Sequence, residues 1–460
     1  MSTDMRLAAL EYAQKHKQRF LEDLIAFSAI PSVSTDPKRA ADVQKTAEWV
    51  ARRLNALDFD NVKIYPTQRH PVVFAENLAA GADAPTVLIY GHYDVQPAEP
   101  LDKWDSPPFE PQIRGENLYA RGTTDMKGQV DATIDAVESI LRSGSALPAN
   151  IKFMIEGEEE IGSPNLPKFI EEHKTMLACD VAINPDTGMI APDLPTITYA
   201  LRGLAYFELR LWGPHQDLHS GVFGGAIHNP AQVLADLIAG MHDEKGRVTL
   251  PGFYDRVRPL SDDERAELAR LPKTAEWYME NTGVAALYGE EGYTPDERVG
   301  GRPTLEINGM LSGFTGEGSK TVLPAYAMAK ISCRLVPDQD PDEVHQQLRQ
   351  YLEEHAPSTV KWELISMASA PASISSRDSR WAQAYLQAAE SAWNTKPVFK
   401  REGGSVPVVT YFQNILGVES VNIGFGLPTD NMHGPNEKLH LPTWYKGIDA
   451  LIHFFFNLAV

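Results

Sequence analysis

The sequence predicts an α/β protein, with one large domain whose mostly parallel sheet is covered by helices and which is interrupted by a smaller α+β domain. Three observations carry this. Between Val87 and Asp186, short apolar runs alternate with helical patterns, as expected of strands buried on both faces. From about residue 200 the pattern changes to strict alternation, the mark of a sheet with one wet face. Past about residue 380 the first style returns. One domain, 1–199 and 376–460, therefore encloses another, 200–375.

The elements follow in order. "MSTDMRLAALEYAQKHKQRF" reads as an amphipathic helix and lacks the apolar core of a signal peptide. "TVLIY" is a strand. "QVDATIDAVESILRS" is a helix with Val130, Ile134, Val137 and Leu141 on one face. "NIKFMIEG" is a strand, "PNLPKFIEEHK" a helix and "DVAIN" a strand. In the smaller domain, "LAYFELRLW" places Ala205, Phe207, Leu209 and Leu211 on one side, and "AYAMAKISCRL" alternates likewise. "NPAQVLADLIAGM" is a helix. A second helix begins with Asp340 as N-cap and Pro341 at its first position, and the strand "VKWELISM" follows. A polar, helix-prone insert spans about 249–300. "RWAQAYLQAAESAW", "VPVVTYFQNIL" and "SVNIGFG" then rebuild the larger domain, and the tail "LIHFFFNLAV" is expected to pack.

Composition narrows the function. The chain has 460 residues, 43 % hydrophobic and 23 % charged, with a formal net charge of -20. Nucleic acid is excluded as a partner because phosphate binding wants a basic face. The acidity serves solubility, or reflects carboxylates held close together by bound cations. Two cysteines, Cys179 and Cys333, make neither a disulfide framework nor a zinc-finger spacing. No apolar run approaches the roughly 18 residues of a membrane span. A cytoplasmic, reduced protein is the expectation.

Ligands of open α/β sheets gather beyond the carboxyl ends of the strands, and four polar clusters sit at such ends or in matching loops. In "GHYDV", His92 and Asp94 point to the same side of an extended chain. Asp94 is placed to accept from a ligating His92, although a hydrogen-bonded core pair would look the same. In "ARGTTDMKG", Asp125 is a ligand or an N-cap. In "IEGEEEIGS", the acids begin where a fully apolar strand ends. Adjacent Glu158 and Glu159 would diverge, one toward a metal and the other toward a water. "INPDTG" supplies Asp186 and "DNMHGPNE" supplies His433. Singly these are ordinary loop residues. As a set, two histidines and three carboxylates suit zinc or a similar divalent ion. Five ligands suit two metals sharing a bridging carboxylate.

The motifs "GHYDVQP", "YARGTTDMKG", "EGEEEIGS", "DLHSGVFGG", "SGFTGEGSKTVLP", "REGGSVP" and "MHGPNEK" occur in that order over nearly the whole chain. In these the chain resembles the dinuclear metallopeptidases that include carnosinase-type dipeptidases, acetylornithine deacetylase, succinyl-diaminopimelate desuccinylase and carboxypeptidase G. The resemblance implies that His92, Asp125 and Asp186 hold one metal and that Asp125, Glu159 and His433 hold the other. Glu158 is then the general base, Asp94 supports His92, and the peptide after Asp125 is cis. The ions are expected to be zinc, with manganese as the alternative. The smaller domain becomes a lid and dimerisation domain. His219 stabilises the oxyanion, in dimeric members at the partner subunit's site.

The same resemblance makes Arg334, on one strand face with Lys330 and Ser332, the clamp for a substrate's terminal carboxylate. Thr321 and Ser405 match further substrate contacts, with Arg202 and Arg401 less defined. The expected activity is hydrolysis of the amide bond of dipeptides or small peptides, by a homodimer that binds no membrane. An N-acyl amino acid deacylase would use the same metals and clamp, and a catalytically dead scaffold of this fold is the third reading. The dipeptidase branch fits best by length, motif wording and insert. One departure is that "SMASAPASISS" lacks the histidine which carnosinase-type members carry there, and this puts carnosine itself in doubt.

Overall fold

A computed structural model describes residues 2–404 and 406–459. The chain divides into two compact units: Met1–Tyr199, Ser375–Lys400 and Val406–Val460 form one, and Ala200–Ile374 with Arg401–Ser405 form the other.

A mixed sheet runs through the large unit. Across it lie, in order, Asp60–Tyr65, Val72–Asn77, Asn150–Glu156, Thr86–His92, Val181–Asn184, Ser420–Asn422 and Thr196–Leu201. Two short strands, Ser373–Ile374 and Val398–Glu402, pair with the last. The centre of the sheet is parallel, with Thr86–His92 between Asn150–Glu156 and Val181–Asn184, and Ser420–Asn422 beside the latter. Asp60–Tyr65 and Val72–Asn77 are antiparallel because the short loop between them cannot make the long crossover that a parallel pair needs. The central strands are buried on both faces, Asn150–Glu156 along its whole length.

Helix Gly128–Arg142 packs on Ser2–Ser28 and Leu441–Asn457, and the latter packs on Arg380–Trp393. The expected apolar stripe of Gly128–Arg142 is only part of what it buries. Asp131 and Asp135 are fully buried as well, and Glu138 nearly so. Arg53 supplies the countercharge, 2.7 Å from Asp135 and 3.2 Å from Glu138. Buried carboxylates are tolerated only when paired in this way. The aromatic tail packs as expected, with Phe454 and Phe455 fully buried. Cys179 and Cys333 are both free thiols. Among the described residues no helix is long and apolar enough to cross a membrane.

The small unit is built on an antiparallel sheet ordered Thr304–Ser312, Tyr326–Leu335, Gly203–Trp212, Lys361–Ala370. Ala205, Phe207, Leu209 and Leu211 share a core with Ala327, Ala329, Ile331 and Cys333. Helices Pro230–Ala239 and Pro341–His355 close that face with Val233, Leu234, Leu237, Val344, Leu348 and Leu352. The Asp340 side chain accepts from the Asp342 N–H at 2.8 Å and starts the second of them. The insert holds three short helices, Asp262–Leu268, Ala275–Thr282 and Pro295–Gly301. Capping boxes, Ser261 with Glu264 and Thr294 with Glu297, begin the first and third.

Candidate metal centre

Parallel register brings the carboxyl ends of the central strands together. His92 ends its strand directly opposite Glu156 of the next one, so the acidic run after Glu156 leaves the sheet beside it. Val181–Asn184, on the other side, delivers Asp186 two residues past its end. Ser420–Asn422 continues toward the loop that carries His433.

Two donor groups form there: His92, Asp125 and Asp186 make one, and Asp125, Glu160 and His433 the other. His92 Nε2 lies 3.2 Å from Asp125 Oδ1 and 3.8 Å from Asp186 Oδ1. His433 Nε2 lies 2.8 Å from Asp125 Oδ2 and 3.4 Å from Glu160 Oε2. Donors about 2.1 Å from a tetrahedral ion are about 3.4 Å from one another, and two of these four separations, 3.2 and 3.4 Å, match the edge of such a site, with 2.8 and 3.8 Å on either side of it. Asp125 gives one oxygen to each group, as a bridge must. Glu160 Oε1 is buried with no hydrogen-bond partner, an acceptor that a cation would satisfy.

Electrostatics point the same way. Burial pushes the Glu159 carboxyl up to about 8, against His92 and with the charges of Asp186 and Asp125. Burial and Asp125 push Glu160 up to about 10, and burial raises Asp186. Burial also opposes ionisation of Asp125, but His433 and His92 outweigh it and hold that carboxyl below the usual range. Several acids crowded this closely in a low-dielectric site call for added positive charge.

The acidic run differs from expectation by one residue. Glu158 joins neither donor group. It turns away and accepts from the Thr67 hydroxyl, from the His70 N–H at 2.8 Å, and from Asn165 Nδ2 at 3.0 and 2.8 Å. Glu160, not Glu159, stands with Asp125 and His433. Glu159 lies between, close enough to His92, Asp186 and Asp125 for their charges to act on it. The reason is local: a 3-10 turn, Glu159–Ile161, follows the strand at once, and the backbone N–H groups of Glu159 and Glu160 donate to Asp94 Oδ1 and Oδ2 at 3.3 and 3.0 Å. That anchor sets which of three consecutive acids faces the histidines. Asp94 also faces His92, with 3.4 Å between Oδ1 and Nδ1.

Two groups not singled out in the sequence build the site from below. Arg121 Nη1 donates to Glu437 Oε2 at 2.6 Å. Glu437 also accepts from the N–H groups of Gly122, Thr124 and Asp125 at 3.0, 3.1 and 3.2 Å, while Arg121 donates to the His433 carbonyl at 3.2 Å. Each lies four residues from a ligand candidate, Arg121 before Asp125 and Glu437 after His433, and that pairing of opposite charges was the available signal. Gly122 has φ 83°, and a Cβ there would lie 2.3 Å from Val95, so no other residue fits the turn into Asp125. The Asp125–Met126 peptide is cis. Gln96 Nε2 donates to Glu160 Oε2 at 2.8 Å.

The remaining candidates lie in the small unit. His219 is exposed, and its Nδ1 accepts from the Gly221 N–H at 3.0 Å. It pairs with Val322 across a two-stranded ladder, so Thr321 is its near neighbour. Arg334 lines a cavity together with Arg202. Arg401 pairs with Glu264. Ser405 lies outside the described residues.

Two donor groups sharing one carboxylate, at the carboxyl edge of a parallel-centred sheet, make a candidate dinuclear metal centre. The pattern of the peptidase family M20/M25/M40 matches residues 88–457. The chain is 33 % identical over 469 residues to the Cys-Gly metallodipeptidase DUG1 of Candida albicans, covering 95 % of each. It is 30 % identical over 465 residues to the Beta-Ala-His dipeptidase of Homo sapiens, covering 98 % of this chain and 92 % of that one. The structure of the di-peptidase Dug1p from Saccharomyces cerevisiae superposes with a TM-score of 0.81 at 27 % identity, covering 100 % of this chain and 99 % of that one. The chain belongs to peptidase family M20/M25/M40 and is a metallodipeptidase within it.

Proposed function

We propose that the protein hydrolyses the amide bond of dipeptides with a free terminal carboxylate. The observation that carries this is Asp125, whose two oxygens face two different histidines at 3.2 and 2.8 Å. His92, Asp125 and Asp186 would hold one divalent ion and Asp125, Glu160 and His433 the other, with zinc favoured by the nitrogen and oxygen donors. Such a pair of ions supplies Lewis acidity to the scissile carbonyl and lowers the pKa of water.

Glu159 is the general base. It is the one member of the acidic run that neither joins a donor group nor is consumed by hydrogen bonds as Glu158 is. Its carboxyl, pushed up to about 8 by burial, takes a proton from water and returns it to the leaving amine. Asp94 holds the Glu159–Glu160 turn and the His92 ring in one hydrogen-bonded unit. His219 is suited to the oxyanion. Because Nδ1 accepts from Gly221, the neutral ring carries its proton on Nε2 and offers a donor outward. Its action in a homodimer at the partner's site is what the resemblance implies, and its exposure in the small unit leaves it open to a partner. Arg334 takes the substrate's carboxylate by its two-pronged guanidinium.

Turnover of a panel of dipeptides and N-acetyl or N-succinyl amino acids, with zinc and with manganese, tests this reading. Cleavage of dipeptides is expected. Cleavage of acyl amino acids alone would assign a deacylase.

A further inference from the structure

The loop that carries His433 is tied at its two ends. Lys438 Nζ donates to Asp430 Oδ1 at 2.6 Å, and the Lys438 N–H donates to the Asp430 carbonyl at 3.0 Å. Between these ends the chain turns sharply. Asn431, His433 and Asn436 have φ of 53°, 62° and 59°, in the left-handed region that is unfavourable for any residue with a side chain. The Gly434 N–H donates to the Asn431 carbonyl at 2.7 Å within this turn. Such a backbone persists only where its surroundings hold it.

Asp430 is fully buried, and its second oxygen reaches out of the loop. Oδ2 accepts from the Leu427 N–H at 2.8 Å and from the Thr124 hydroxyl at 3.2 Å. Thr124 is the residue before Asp125. The fit there is close: a Cβ on Gly426 would lie 2.5 Å from Thr124 Oγ1. One carboxylate thus closes the loop of His433 with one oxygen and grips the segment of Asp125 with the other. Thr124 and Asp430 are 306 residues apart in the chain. Beyond this joint His433 Nε2 and Asp125 Oδ2 meet at 2.8 Å.

We infer that Asp430 is a positioning residue for the metal centre. Acting through Thr124 on Asp125 and through Lys438 on His433, it sets the approach of these two donors and so the affinity for the ion they share. This rests on the reading of Asp125, Glu160 and His433 as a metal-donor group. A carboxylate is needed because both oxygens must accept. The amide nitrogen of an asparagine only donates, so one side of the joint would be lost. Lys438, with its side chain 15 % exposed, supplies the countercharge that a buried carboxylate requires.

Zinc titration of the metal-stripped protein against a chromophoric chelator gives the two affinities. Asp430→Asn is expected to weaken one ion by roughly 10–100-fold, as loss of a support behind a ligand does, and to leave the other nearly unchanged. Thr124→Val removes only the hydroxyl and is expected to weaken the same ion by roughly fivefold, the worth of one hydrogen bond. The double variant should bind no more weakly than Asp430→Asn alone, because both act at one joint. His433→Ala identifies the ion: on that background Asp430→Asn should add nothing. Unchanged affinities in a folded Asp430→Asn, an equal loss at both ions, or additive losses in the double variant overturn the inference. If Asp430→Asn does not fold, Thr124→Val decides, and unchanged affinities there overturn it. If the wild type binds no zinc, the metal reading fails, and the joint is then judged by hydrogen exchange. The Gly434 amide should exchange roughly tenfold faster in Asp430→Asn than in wild type, and equal rates overturn the inference.

Discussion

Arg121 and Glu437 form a buried ion pair with 2.6 Å between Nη1 and Oε2 and side chains 1 % exposed, and each partner also holds the backbone of a segment that bears a ligand candidate. Arg121→Met leaves Glu437 charged and unpaired. Breaking a pair of this kind costs about 3–5 kcal/mol. Denaturant unfolding should show that loss, and metal analysis should show weakened binding at the Asp125–Glu160–His433 group. A variant with wild-type stability and full metal content would remove the pair from any positioning role.

The acidic run gives three separable substitutions. Glu159→Gln should retain two ions and lose kcat by roughly 10²–10⁴-fold, because the amide cannot take a proton. Glu160→Gln should lower the affinity for one ion. Glu158→Gln should retain both ions and lose about 1–3 kcal/mol of stability through its mismatched hydrogen bonds. Should Glu158→Gln show the large kcat loss and Glu159→Gln weakened metal binding, the one-residue shift is refuted.

Asp449 provides a pH signature away from the metals. Burial pushes its carboxyl up to about 6, opposed by Lys17 and the Gln14 hydrogen bond. A carboxyl whose folded pKa lies above its unfolded value favours the fold when protonated. Its contribution is complete below pH ~4 and is lost as pH rises to about 6. Asp449→Asn should therefore gain roughly 2–3 kcal/mol at pH 7 relative to wild type and nothing at pH 4. An equal effect at both pH values would show that Asp449 does not titrate in this window.

Subunit mixing tests His219. Glu159→Ala and His219→Ala should each be inactive alone. If His219 serves the partner's site, a mixed dimer contains one complete site. With random exchange at equal amounts, about half the dimers are mixed, and activity should return to roughly a quarter of wild type. No recovery after verified exchange would confine His219 to its own chain.

Much of this was legible in the sequence because it rests on periodicity. The alternation of Ala205, Phe207, Leu209 and Leu211 fixed a one-faced sheet, and the continuous run before Glu156 fixed a doubly buried strand. The order of the motifs located His92, Asp125, Asp186 and His433. The register within "GEEE" was not legible. Spacing along a strand places alternate residues on one side, but the chain leaves the strand at Gly157, and the turn is oriented by Asp94, more than sixty residues earlier. Arg121 and Glu437 were hidden because their partnership spans most of the chain. The outer antiparallel pairs escaped because a buried apolar strand reads alike in either direction.

The place of Ser420–Asn422 beside Val181–Asn184 has a consequence for biosynthesis. A chain emerging from the ribosome carries His92, Asp125 and Asp186 early. Val181–Asn184 then waits with one edge unpaired while roughly half the chain, the whole small unit included, is still being made. At about 5–20 residues per second this interval is on the order of ten seconds to a minute. An exposed apolar edge over that time is a template for pairing with other nascent chains. The donor group that needs His433 is completed only after the edge is covered, so capture of its ion falls at the close of synthesis, whereas all three residues of the other group have been made long before.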